Sequence, residues 1–130
     1  MRKIHKIILH CSDSDIHDHD NIQTVRQWHL NRGWKDIGYH YFITKDGRVR
    51  WGRNPASFGA HCAGHNRDSI GICLSGRRKF TPDQFCSLRM LLIQLMKEFD
   101  IPKTAIFGHN HFNKKKSCPN FDVQEIINTL

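Results

Sequence analysis

Three residues of types that can bind metals lie where predicted strands end and loops begin. His10 closes an apolar strand, His109 follows a later strand directly after Gly108, and Cys118 lies at the far end of the loop that His109 begins. Two imidazoles and a thiolate form a ligand set of catalytic zinc sites, in which the fourth tetrahedral position is open to water. Because sheet-based domains carry their sites at strand ends, the pattern favours a metal centre there.

Each of these residues also has a purely structural interpretation. A single histidine at a strand end is usually a hydrogen-bonded structural residue, and ten histidines in 130 residues make coincidences easy. Spacing alone therefore leaves both interpretations open. A zinc finger is excluded because Cys62 and His65 have no second pair at finger spacing. The polar run 17–20 (His-Asp-His-Asp) is interpreted as a solvated loop rather than a second metal site.

The elements that must position these residues follow from apolar spacing. We expect a hairpin turn at Asp46-Gly47 and a loop over 108–120, together with strands at 3–10, 39–43, 48–51, 69–74 and 105–107. Helices are expected from 22 until Gly33, from 82 to 100 behind a capping Thr81, and after Asp122. This order predicts an α/β fold with a mixed central sheet flanked by helices on both faces.

Length and composition fit one globular domain, 1–130. The formal net charge of +8 at pH 7 favours nucleic acid, acidic lipid or an anionic cell-wall polymer as partner. No apolar run could span a bilayer and the N-terminus does not look like a secretion signal, so we expect cytoplasmic synthesis without membrane insertion. The cysteines are then free thiols, and Cys73 and Cys86, in apolar stretches, are expected to be buried.

An ordered set of short motifs runs through the chain from about Lys6 to Asp122. It comprises His-Cys-Ser at 10–12, Arg-Gln-Trp-His at 26–29, Gly-Trp-Lys-Asp-Ile-Gly-Tyr-His at 33–40, Asp-Gly at 46–47, Ser-Ile-Gly-Ile at 69–72, Gly-His at 108–109 and Lys-Ser-Cys-Pro at 116–119. In this order the motifs resemble the zinc-dependent N-acetylmuramoyl-L-alanine amidases. The likeness is greatest to the small amidase lysozymes of T-odd phages, which share a fold with animal peptidoglycan recognition proteins.

The resemblance implies one zinc ion per chain and roles for six residues: three zinc ligands, two catalytic groups and one residue beside the substrate groove. In that order they are His10, His109 and Cys118; Tyr39 and Lys116; and His61. An ammonium or phenol at such a site stabilises the negative charge that builds on the attacked carbonyl oxygen. Tyr39 could instead orient the attacking water, and the sequence does not separate these roles.

The identity of the second histidine ligand stays open. The interval from His109 to Cys118 is one residue longer than in the phage enzymes, which makes His111 the alternative. In an extended segment both histidines would point to the same side, so direction alone does not decide. Position favours His109, because it directly follows Gly108 at the anchored end of a strand.

The function implied by the resemblance is hydrolysis of the amide bond between N-acetylmuramic acid and L-alanine in peptidoglycan. We expect a monomeric endolysin of phage or prophage origin that has no separate wall-binding module, requires no nucleic acid, and acts on the wall after release or delivery. Two alternatives are a non-catalytic peptidoglycan-binding module and a regulator of a phage or host RNA polymerase.

Overall fold

A five-stranded mixed sheet forms the centre of the computed structural model, which describes residues 2–130. In chain order the strands are β1 (Lys6–Cys11), β2 (Tyr41–Ile43), β3 (Val49–Trp51), β4 (Ser69–Leu74) and β5 (Ile106–Gly108). Across the sheet they lie in the order β3-β2-β4-β1-β5. The β2–β3 hairpin is antiparallel and the other pairs are parallel.

Three of the four α-helices begin at a residue whose side chain accepts a hydrogen bond from a backbone N–H of the first turn. The helices are α1 (Ile22–Asn31), α2 (Pro82–Phe99), α3 (His109–Phe112) and α4 (Val123–Asn128), with short 3-10 turns at His17–His19 and Lys103–Ala105. Asn21 caps α1, Thr81 forms a capping box with Gln84 at the start of α2, and Asp122 caps α4. Among residues 2–130, no helix combines the length and the apolar composition needed to cross a bilayer.

Helices cover both faces of the sheet, which confirms the predicted fold class. On one face, α2 and α4 pack against alternate strand residues such as Ile7, Leu9 and Ile72. On the other face, α1 packs against Phe42 and Cys73. Because successive strand residues point to opposite faces, His10 lies on the α1 side, opposite Leu9. The α1 side of the sheet therefore carries the candidate site.

Two expectations from the sequence are wrong. The segment expected to be a loop over 108–120 begins with the helical turn α3, whose polar sequence gave no apolar periodicity. Cys86 is exposed although Cys73 is buried as expected. Neighbouring residues on a helix are about 100° apart, so an apolar stretch in α2 does not place all of its members on the buried face. The buried face includes Leu88, Leu92 and Leu95.

Candidate active site

His10, His109 and Cys118 come together from the end of β1, the start of α3 and the loop that follows α3. One ligand atom from each residue can be chosen so that all three lie within 4.8 Å of one another. Nδ1 of His10 lies 4.0 Å from Sγ of Cys118, and the ring centroids of His10 and His109 are 4.6 Å apart. Within residues 2–130, this is the one group of three such side chains that could hold a metal ion.

Backbone contacts hold Cys118 beside the strand ends. The N–H of Asn110 donates to the carbonyl of Cys118 at 2.8 Å, and the N–H of Cys11 donates to its sulfur at 3.1 Å. Glycine at 108 is needed for this approach, because a Cβ there would lie 2.5 Å from the Asn110 side chain and 2.9 Å from the Pro119 ring. The Gly-His and Cys-Pro motifs thus pack directly against each other.

The two late histidines point in different directions. Residues 109 and 111 belong to a helical turn, in which side chains two positions apart are rotated by about 200°. The expectation of an extended segment is therefore wrong, and direction does separate the two residues. His109 faces His10, whereas the exposed His111 ring stacks on Phe107 with 4.7 Å between centroids.

His109 and Cys118 line a cavity of about 340 Å³, and the buried His10 lies beside both of them. Tyr39, His61 and Lys116 line the same cavity, so the structure gathers all six residues that the motifs singled out. The Tyr39 ring lies 5.1 Å from the His10 ring, while Lys116 is exposed at the cavity wall.

Other lining residues received no role from the sequence. His29, Arg32 and Trp34 also face this cavity. His29 lies in the Arg-Gln-Trp-His motif and Trp34 in the Gly-Trp motif, but a motif does not show which of its members face a cavity. The Arg32 guanidinium packs over the Trp34 ring at 5.5 Å, so a cation and an aromatic face form one wall.

Burial favours the neutral forms of His10, His109 and Tyr39. Burial lowers the pKa of His10 well below its ordinary value, and burial followed by the charge of Lys116 lowers the pKa of His109. Burial and then the Cys73 and Cys118 thiols raise the pKa of Tyr39 well above its ordinary value. Neutral imidazoles can donate lone pairs to a metal, and a protonated phenol can donate a hydrogen bond.

Cys118 must lose its proton and become charged to bind a metal, whereas the histidines bind in their neutral form. Its contact with the Cys11 thiol, followed by burial, raises the pKa of Cys118, so a thiolate at this position needs a cation beside it. A zinc ion supplies such a charge and binds cysteine as the thiolate.

Comparison with known proteins identifies the family. The sequence profile described as N-acetylmuramoyl-L-alanine amidase matches residues 1–121. The chain belongs to this amidase family. The amidase is 37% identical over 126 residues to the endolysin of Escherichia phage T7, an alignment that covers 91% of this chain and 82% of that protein.

Solved structures show the same fold. The N-acetylmuramoyl-L-alanine amidase LysC from Clostridium intestinale URNW matches this amidase with a TM-score of 0.89 and 31% identity, covering 98% of this chain and 85% of that one. Drosophila PGRP-LB matches with a TM-score of 0.82 and 27% identity, covering 97% and 81%. These relatives confirm the predicted fold and activity: the protein is an enzyme that cleaves amide bonds of peptidoglycan.

Proposed function

We propose that this amidase acts through one zinc ion per chain, held by His10, His109 and Cys118. The observation that carries the proposal is the convergence of these three donors, from three separate segments, beneath the cavity that Tyr39 and Lys116 line. Packing of the two histidines alone would not require the Cys118 sulfur at the same point.

The donor set fits zinc in both chemistry and spacing. Tetrahedral zinc with bonds of about 2.0–2.1 Å to nitrogen and 2.3 Å to sulfur places a nitrogen and a sulfur ligand roughly 3.5 Å apart. The 4.0 Å between His10 Nδ1 and Cys118 Sγ is close to that value. Three protein ligands are typical of catalytic zinc sites, whereas structural sites have four.

The residues around the donors supply the remaining functions of an amide hydrolase. Bound zinc lowers the pKa of a coordinated water toward ~7 and polarises a carbonyl group. The phenol of Tyr39 stays protonated, so we assign it a hydrogen bond to the attacked carbonyl oxygen or to the water. The ammonium of Lys116 faces the same cavity, where its positive charge stabilises the oxyanion that develops during attack.

We assign cleavage to the bond between N-acetylmuramic acid and L-alanine, in a lytic role like that of the phage endolysins that the chain resembles. The net charge of +8 would hold the enzyme near anionic wall polymers. We propose that the enzyme acts as a monomer on peptidoglycan, without nucleic acid and without insertion into a membrane.

Digestion of purified peptidoglycan tests this function. The expected products are new N-terminal L-alanine and free lactyl carboxyl groups of muramic acid, formed by the zinc-loaded protein and not in the presence of chelator. New reducing sugar ends would instead identify a glycosidase and contradict the proposal. Undiminished activity after complete removal of metal would retain the bond assignment and exclude the zinc mechanism.

A further inference from the structure

The His61 side chain is built into the protein beneath the cavity rather than merely facing it. Its exposed fraction is only 8%, and it lies edge-on to His10 with 4.9 Å between ring centroids. Two glycines make room for the ring, since a Cβ at Gly59 or at Gly71 would lie 2.6 Å from it. Gly71 lies in β4 and Gly59 in the loop before this strand, so the sheet and this loop together form the recess.

A directed chain of hydrogen bonds runs from this recess to His10. The hydroxyl of Ser69 donates to the carbonyl of His65 at 2.6 Å, because a carbonyl can only accept. Having used its one proton, Ser69 Oγ accepts from Nε2–H of His61 at 3.1 Å. Nδ1 of His61, with its lone pair free, then accepts from Nε2–H of His10 at 2.8 Å.

This order of donors determines which nitrogen of His10 is free. With its proton on Nε2, His10 presents the Nδ1 lone pair, and Nδ1 is the atom that lies 4.0 Å from Cys118 Sγ. Metal-binding histidines commonly donate their other ring N–H to a fixed acceptor, which sets the tautomer and the ring orientation. Here that acceptor is a second histidine, itself oriented by a serine on β4.

We propose that His61 and Ser69 are positioning residues that hold His10 as the Nε2–H tautomer for zinc binding. This inference rests on the proposed function, and it gives His61 a role beyond that of a groove residue. Neither residue contributes a ligand atom. Their effect is expected in metal affinity and in the tautomer of His10.

Substitution at Ser69 tests the hydrogen bond between Ser69 and His61, with a matched control. Ser69→Ala removes the acceptor of His61 and is expected to weaken zinc binding by about 10- to 100-fold in competition with a chromophoric chelator. Ser75→Ala is the control, because Ser75 is a buried serine next to the same strand whose hydroxyl has no hydrogen-bond partner within residues 2–130. It should bind zinc as the unsubstituted protein does.

Substitution at His61 separates hydrogen bonding from packing. In His61→Asn the side-chain carbonyl can replace Nδ1 as acceptor for His10, whereas His61→Leu fills the recess without an acceptor. We expect zinc affinity to fall in His61→Leu and to be largely kept in His61→Asn. Equal losses in both variants, with Ser69→Ala unaffected, would reduce His61 to a packing residue and overturn the proposal.

The tautomer can be read without zinc or activity. Nitrogen-15 NMR of the metal-free protein should show His10 protonated at Nε2, with the Nδ1–H form appearing in Ser69→Ala. An Nδ1–H His10 in the unsubstituted protein would overturn the proposal. A different result would show that the zinc mechanism itself is wrong. In that case the unsubstituted protein binds no zinc, whichever tautomer His10 adopts. If the unsubstituted protein binds zinc and both Ser69→Ala and His61→Leu bind equally tightly, only the positioning role is lost.

Discussion

Sγ of Cys118 lies 4.0 Å from Nδ1 of His10, although the two residues are 108 positions apart in the chain. The next residue of β1 helps to create this relationship, since the N–H of Cys11 donates to the same sulfur. The end of β1 therefore carries one candidate zinc ligand, His10, and holds the sulfur of another, Cys118. Its parallel neighbours β4 and β5 carry Ser69 and lead into His109, so the site depends on the central sheet more than on any single loop.

The late histidines form a natural pair of test and control. His109→Ala should lose zinc and activity together, because His109 faces His10. His111→Ala should keep zinc and most of the turnover, because its ring packs on Phe107 at the surface. Metal content and peptidoglycan hydrolysis measured on both variants decide the matter. The reverse result would make His111 the ligand and require α3 to rotate.

Removal of the Lys116 ammonium should affect the reaction and leave the metal in place. We expect Lys116→Ala to lower turnover by roughly 10²-fold or more, the usual cost of losing one group that stabilises an oxyanion. Lys114→Ala is the control, since that neighbour lies outside the cavity lining. If Lys115→Ala, at the other lining lysine, reduces turnover and Lys116→Ala does not, the catalytic assignment moves by one residue.

Tyr39→Phe tests the phenol alone. The ring contacts with His10 and His29 are retained, so fold and zinc content should be unchanged. Turnover should fall by about 10²-fold if the phenol donates to the oxyanion. Zinc analysis, circular dichroism and hydrolysis rates together give the answer, and an unchanged rate would remove Tyr39 from the catalytic groups.

The carboxylate of Asp15 should make stability depend on acid pH. It accepts from the backbone N–H groups of Arg77 and Arg78 at 2.9 and 3.0 Å and from the Lys45 ammonium at 3.0 Å. Although burial acts in the opposite direction, these hydrogen bonds lower the pKa of Asp15 on balance. A group whose pKa is lowered in the folded state stabilises above its unfolded pKa, about 3.9, and this contribution is lost as the pH falls below that value.

Asp15→Asn should therefore be less stable than the unsubstituted protein by about 1–3 kcal/mol at pH 7, and the difference should shrink below roughly pH 4. Urea unfolding of both proteins, at pH 7 and again below roughly pH 4, measures the difference in the free energy of unfolding. Asp18→Asn is the control, because the Asp18 side chain is 94% exposed. A gap that stays constant with pH would show that the ionised carboxylate is not responsible.

Much of the fold was predictable because its signals are local. β4 is a short run of buried residues rich in isoleucine and leucine, and Thr81-Pro82 combines a cap with a favoured first helical residue, so both elements begin where expected. The turn α3 was not predictable, because its formation depends on tertiary contacts of the kind that Asn110 makes with Cys118. Local propensity cannot register such contacts.

The candidate site was also predictable only where its signals are local. The candidate ligands could be named from residue types at strand ends and from family motifs. The hydrogen bonds from Ser69 through His61 to His10 could not, because His61 and His10 are 51 positions apart and the His61 ring needs the space left by two glycines. Sequence spacing carries no information on which ring nitrogen meets which acceptor.

Zinc reconstitution of the metal-free enzyme tests whether hydrolysis depends on one zinc ion held by Cys118. Hydrolysis of the muramoyl-L-alanine bond should rise in proportion to added zinc and level off at one equivalent per chain. Cys118→Ser should not recover under the same titration, because a hydroxyl is a poor substitute for the thiolate, while Cys86→Ser, at an exposed thiol, should recover fully. Full activity without zinc would exclude the zinc mechanism, and full recovery of Cys118→Ser at one equivalent would exclude Cys118 as a ligand.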